Sequence, residues 1–162
     1  MERTLVDNDL FRKRVQLFGD TVLKVAFNRL QNYSDAEDIT QEVFIALYST
    51  HKEFENNEHL KAWLIRVTIN KCNDLKKSFW QSHTEPLNEN EAISFDQTNN
   101  FVLSELKKLA PAYRDVIYLY YYEGYKINEI AEMTGVSINT ASSRLKRARK
   151  KLGLILGGAE TV

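Results

Sequence analysis

Apolar residues recur along this chain at steps of three and four, and no run of any length alternates apolar with polar in the manner of a half-buried strand. In "YSDAEDITQEVFIALY", Tyr33 to Tyr48, Ser34 and Glu37 have capping-box spacing, so a helix is expected to begin near Asp35. Ala36, Ile39, Val43 and Leu47 form its inner seam. "HLKAWLIRVTINKCNDLKKSF", from His59, is apolar around most of a helical circumference. It leaves one polar stripe, Arg66, Asn70, Asn73 and Lys77. "INEIAEMTGVSINTASSRLKRARKKL" predicts a short helix from Ile127, a break at Gly135 and a second helix capped by Ser137. Ile138, Ala141, Leu145, Ala148 and Leu152 share one face of that second helix.

With only six Gly and two Pro, the pattern gives an all-α chain. Gln81 to Asn100 carries four acids and no Lys or Arg, and reads as an exposed connection. Two small helical domains are therefore expected, residues 1–80 and 101–162, joined by an acidic polar linker over 81–100.

Charge changes this picture. The chain balances 22 basic against 22 acidic residues, yet Ser137 to Leu152 holds six Lys or Arg and no acid. The positive charge is local to one helix. A helix that only complemented its own dipole would need cations in its last turn, whereas this run starts at Arg144. Composition excludes other classes. No run nears the ~20 apolar residues of a membrane span, so the cytoplasm is the expected compartment. Cys72 is the only cysteine, and the three His show no ligand spacing with it, so no metal is expected. No phosphate-binding loop or nucleophile motif is present, so no catalytic residue and no cofactor are expected.

The Ser137 helix has the layout of a major-groove reader. Asn139, Thr140 and Ser143 offer short hydrogen-bonding groups near its start, while Lys146, Arg147 and Lys150 follow as phosphate ligands. On the Asp35 helix, Asp38, Gln41 and Glu42 surround Ile45, an apolar residue centred on an acidic outer face, which suits a protein partner. In the Arg66 stripe, two amides between two cations can bond base edges and hold phosphates, with Trp63, Phe79 and Trp80 available to brace unstacked bases. A solvent-facing stripe with Trp63 in the core fits the spacing as well. Six of the eight tyrosines fall between Tyr113 and Tyr125 and are assigned to scaffold beneath the helix-turn-helix.

"DAEDITQEVF", "AWLIRVTINKC" and "INEIAEMTGVSINTASSRLKRARKKL", in this order, resemble a bacterial RNA polymerase sigma factor of the small extracytoplasmic-function (ECF) type, over about Leu10 to Leu152. The resemblance implies a transcription initiation factor that directs core polymerase to promoters and is not itself an enzyme. It implies that Asp38, Gln41, Glu42 and Phe44, with Ile45 beside them, dock on the clamp coiled coil of the largest subunit, and that the polymerase flap is a further contact. Trp63, Arg66, Asn70, Asn73 and Lys77 would handle the melted minus-ten strand. Asn139, Thr140, Ser142, Ser143, Arg144, Lys146, Arg147 and Lys150 would meet the minus-thirty-five duplex. Many relatives carry Lys or Arg where Ser142 stands, so one DNA contact common in the family is in doubt. An anti-sigma protein is a partner the resemblance allows. The alternative is a stand-alone helix-turn-helix regulator with an N-terminal sensor or dimerisation domain, which would need no single-strand site.

Overall fold

The computed structural model describes residues 5–82 and 106–155, with side chains over 7–75 and 106–153. Six α-helices and no strand are found among them: α1 Leu5–Leu30, α2 Tyr33–Ser49, α3 Asn57–Ser82, α4 Pro111–Ile117, α5 Ile127–Thr134 and α6 Ile138–Ile155. From residue 83 onward the proposed acidic linker lies outside the described residues.

The first three helices form a bundle. α1 ends where Gln31 turns left-handed, φ 55°, its side-chain amide donating to the carbonyls of Phe27 and Asn28. Asn32 then caps α2, its Oδ1 accepting the Asp35 N–H at 2.9 Å. The expected Ser34–Glu37 cap is therefore replaced by one two residues earlier. An Asn side chain reaches the orphan N–H groups as well as Ser does. The seam read from the sequence is buried: Ala36, Ile39, Val43 and Leu47 meet Phe18, Val22 and Ala26 of α1 and Leu60, Leu64 and Cys72 of α3.

The opposite side of α3 is buried too. Val25, Ile65 and Ile69 join Leu106, Leu109, Val116 to Leu119, Tyr125, Ile130, Met133, Leu145 and Ala148 in a second core. This explains why α3 is apolar nearly all round: it lies between two cores and keeps only a stripe for water. The two sequence blocks are thus packed against each other through one shared core.

Polar groups fasten the same contact. Arg114, 5% exposed, donates to the carbonyls of Asn28 at 2.7 Å and Arg29 at 2.8 Å, and to that of Leu109. It satisfies the last turn of α1 from the other block. Arg29 pairs with the buried Asp115 and donates to Asn73 Oδ1. On the far side, Lys61 pairs with Glu123 at 2.8 Å.

α4 continues into one π-helical turn, Tyr118–Tyr122, whose wider winding stacks Tyr118 on Tyr122 at 5.0 Å. Tyr118 and Tyr125 are core residues and Tyr113, Tyr120 and Tyr122 pack against that core, while Tyr121 is exposed. α5 ends as predicted: Gly135 at φ 73° closes it, with Val136 N–H on Ala131 O and Gly135 N–H on Glu132 O. Ser137 Oγ accepts the Thr140 N–H at 3.1 Å and caps α6. Ala141, Leu145 and Ala148 are buried beneath that helix. Ile138, the first residue of α6, is 56% exposed instead of lying in the seam, because a helical side chain leans toward the N-terminus and at the first position projects past the end of the helix.

Candidate functional site

Three outward faces carry the candidate residues. On α2, Asp38, Gln41 and Glu42 are exposed and Ile45 is 64% exposed among them. Phe44 departs from this group. It is buried in the first core, so it supports the face from below and presents nothing to a partner.

On α3, Arg66 and Asn70 are exposed while Asn73 is half-buried, its side-chain carbonyl already taken by Arg29. The Lys77 side chain lies outside the described residues, as do Phe79 and Trp80. Trp63 is half-buried against the first core and meets Phe54 edge-on at 5.3 Å, so one side of its ring is scaffold. Phe54 belongs to the loop before α3, whose Asn56 caps that helix through the His59 N–H at 2.8 Å. This loop and the start of α1 enclose a cleft of about 440 Å³ lined by Phe11, Arg14, His51, Lys52 and Phe54 among others.

On α6, Asn139, Thr140, Ser142, Ser143, Lys146, Arg147 and Lys150 are all exposed and Arg144 is half-buried. The Thr140 hydroxyl bonds Ser137 Oγ at 2.9 Å, which holds it at the cap. Arg149 is held away from this face. Its Nε donates to Tyr121 Oη at 2.6 Å, and its guanidinium lies over the Tyr120 and Tyr121 rings. Lys151 likewise lies over the Tyr113 ring, at 5.7 Å, so two cations of the basic run brace the helix.

Arg29, Arg114, Asp115 and the Arg149 clamp escape sequence reasoning. The adjacent charges Arg114 and Asp115 inside an apolar run were a signal, but partners 85 and 86 residues away carry no spacing. Burial, and then Glu123, pushes the phenols of Tyr118 and Tyr125 above their ordinary pKa, so both stay neutral in the core. Among the described residues no His, Cys, Asp and Glu cluster could hold a metal ion, and no helix is long and apolar enough to cross a membrane.

Residues 15–81 match the family described as Sigma-70 region 2, and residues 102–152 match Sigma-70, region 4. RNA polymerase sigma factor SigV of Bacillus subtilis is 31% identical over 140 residues, covering 82% of this chain and 82% of the relative. ECF RNA polymerase sigma factor SigW of the same organism is 28% identical over 165 residues, covering 90% and 88%. Among solved structures, the sigma factor RpoE in complex with the anti-sigma factor NepR from Bartonella quintana aligns with a TM-score of 0.70 at 22% identity, over 93% of this chain and 98% of the other. CnrH in complex with the cytosolic domain of CnrY aligns at 0.66 with 24% identity, over 94% and 91%. At these identities the likeness to the solved structures is one of fold.

Proposed function

The chain belongs to the sigma-70 family, with regions two and four of an ECF sigma factor, and from that premise we propose how its surfaces divide the work of initiation. As a sigma factor it binds core RNA polymerase and directs it to promoters, recognising minus-ten and minus-thirty-five elements and aiding melting. It carries out no bond chemistry of its own.

In this reading Asp38, Gln41, Glu42 and Ile45 meet the polymerase clamp coiled coil. Desolvating Ile45 at the centre contributes affinity while the polar rim fixes orientation. Arg66, Asn70 and Asn73, with Lys77 further along, take the melted minus-ten strand. Base flipping costs a few kcal/mol, which amide contacts to an extruded base and cationic contacts to its phosphates offset. Asn139 and Ser143 read base edges at minus thirty-five, with Thr140 beside them, and Lys146, Arg147 and Lys150 neutralise phosphates. Residues 1–80, 81–100 and 101–162 serve as region two, linker and region four, the last also reaching the polymerase flap. The chain works in the cytoplasm with the polymerase, and an anti-sigma protein covering the α2 face would compete with core.

The observation that carries the reading is the separation of faces: the seams of α2, α3 and α6 are buried and each leaves one exposed polar face of distinct character. The test is transcription by core polymerase with the purified chain, combined with permanganate footprinting. Asn70→Ala is expected to slow open-complex formation while leaving duplex binding unchanged. Normal melting in both Asn70→Ala and Arg66→Ala would reduce the stripe to a solvated surface.

A further inference from the structure

The seam of α6 leaves the roll of that helix about its own axis loosely defined. Of the seam residues buried beneath it, Ala141 and Ala148 carry one methyl group each and only Leu145 projects further, so the contact offers few ridges to interlock. Apolar packing is itself non-directional. Yet roll decides what the outer face can do. Side-chain tips stand roughly 5–6 Å from a helix axis, so a roll of about 20° displaces them by about 2 Å. A hydrogen bond does not survive that shift. The short side chains of Asn139 and Ser143 cannot follow it, whereas the long stems of Lys146, Arg147 and Lys150 can.

Two cation–aromatic contacts flank the seam. Arg149 Nε donates to Tyr121 Oη at 2.6 Å, and its Cζ lies 5.1 Å from the centre of the Tyr120 ring and 5.5 Å from that of Tyr121. Both rings belong to the π-helical turn and meet edge-on at 4.9 Å, forming a corner that takes one guanidinium. Lys151 Nζ lies 5.7 Å from the centre of the Tyr113 ring on α4. Positions two residues apart are about 200° apart around a helix. The two contacts therefore lie on opposite flanks, with Leu145, Ala148 and Leu152 in the narrower arc between them.

We propose that Arg149 and Lys151, held from opposite flanks by the Tyr120–Tyr121 corner and by Tyr113, fix the roll of α6 and are positioning residues for base readout at the minus-thirty-five element instead of phosphate ligands. This rests on the reading of α6 given above. A cation over an exposed ring is a weak contact. It is too weak to carry the fold, but it selects among roll angles that an alanine-rich seam leaves nearly equal. Loss of the bracket loosens sequence choice and leaves the phosphate contacts of Lys146, Arg147 and Lys150 in place.

The test reconstitutes the full chain with core polymerase and selects promoters from a pool randomised over the minus-thirty-five element. Affinities for the sequence selected by the parent and for a scrambled element are then titrated against salt. Arg149→Ala introduces the best helix former, so the helix should persist. It is expected to reduce the preference for the selected sequence about tenfold, the scale of one good base contact, with the slope of log-affinity against log-salt unchanged. Lys151→Ala should lower the preference by less, since one ring and no hydrogen bond hold it. Tyr120→Leu/Tyr121→Leu should match Arg149→Ala, and combining the two should bring no further loss, because both remove the same contact. Arg149→Lys keeps a cation over the rings and should retain most of the preference. A slope reduced by about 0.9 with preference intact, in either Arg149→Ala or Lys151→Ala, would identify a phosphate ligand and overturn the bracket. Preference unchanged in both would overturn it as well. Should the tyrosine variant lose helicity, Arg149→Ala and Arg149→Lys decide alone: preference lost in the first and kept in the second supports the bracket, and equal preference in the two overturns it. Failure of the α6 reading shows separately, as an upstream preference that Asn139→Ala and Ser143→Ala leave unchanged.

Discussion

Phe44 and Ile45 are neighbours in sequence and opposites in space, one 7% exposed and the other 64%. Their substitutions should fail in different ways. Phe44→Ala empties a site among Val22, Val43 and Leu47 and should cost ~3–5 kcal/mol of stability, read as a lower urea midpoint. Ile45→Asp and Glu42→Lys alter exposed positions, where substitutions usually change stability by no more than about 0.5 kcal/mol. Both should nevertheless weaken core polymerase binding by about tenfold or more, as removal of a central interface residue does. Core affinity unchanged in both variants would remove the α2 face from the polymerase contact.

On the proposed reading, the tasks within α6 divide along the helix. Asn139 and Ser143 stand in the first two turns and Arg147 and Lys150 in the third and fourth, all exposed. Asn139→Ala should therefore change which upstream sequence is preferred, by ~1–3 kcal/mol for a good base contact. Arg147→Ala should weaken all duplexes about equally and reduce the magnitude of the log-affinity against log-salt slope by about 0.9. The titration belongs on the full chain, since the C-terminal helices share their core with α3. Altered sequence preference with an unchanged slope in Arg147→Ala would contradict the division. Arg149 is expected to behave differently from its basic neighbours, because the Tyr120 and Tyr121 rings already hold it.

At the scale of the molecule, α3 decides how independent the halves are. Ile65 and Ile69 are buried against Leu106, Val116 and Tyr118 of the other half, so the halves should unfold together when free. Ile65→Ala should cost ~2–5 kcal/mol and lower a single calorimetric transition as a whole. Two separate transitions, only one of them shifted, would show that the shared core does not couple the halves.

The sequence by itself determined the helical class, the seams of α2 and α6, the turn at Gly135 and the exposed polar faces, because helical periodicity and capping act over a few residues and are written locally. It also held a signal whose meaning was spatial: α3 is apolar almost all round because two cores flank it. Tertiary structure alone decided the pairing of Arg29 with Asp115 and Asn73, the capping of α1 by Arg114, the withdrawal of Arg149 from the exposed polar face of α6 and the burial of Phe44 beside the exposed Ile45. Each depends on which elements meet across 28 to 86 residues of chain, or on how far a neighbouring helix reaches around a face. Contacts of that kind leave no period in the sequence, since either partner alone reads as an ordinary charge or an ordinary ring.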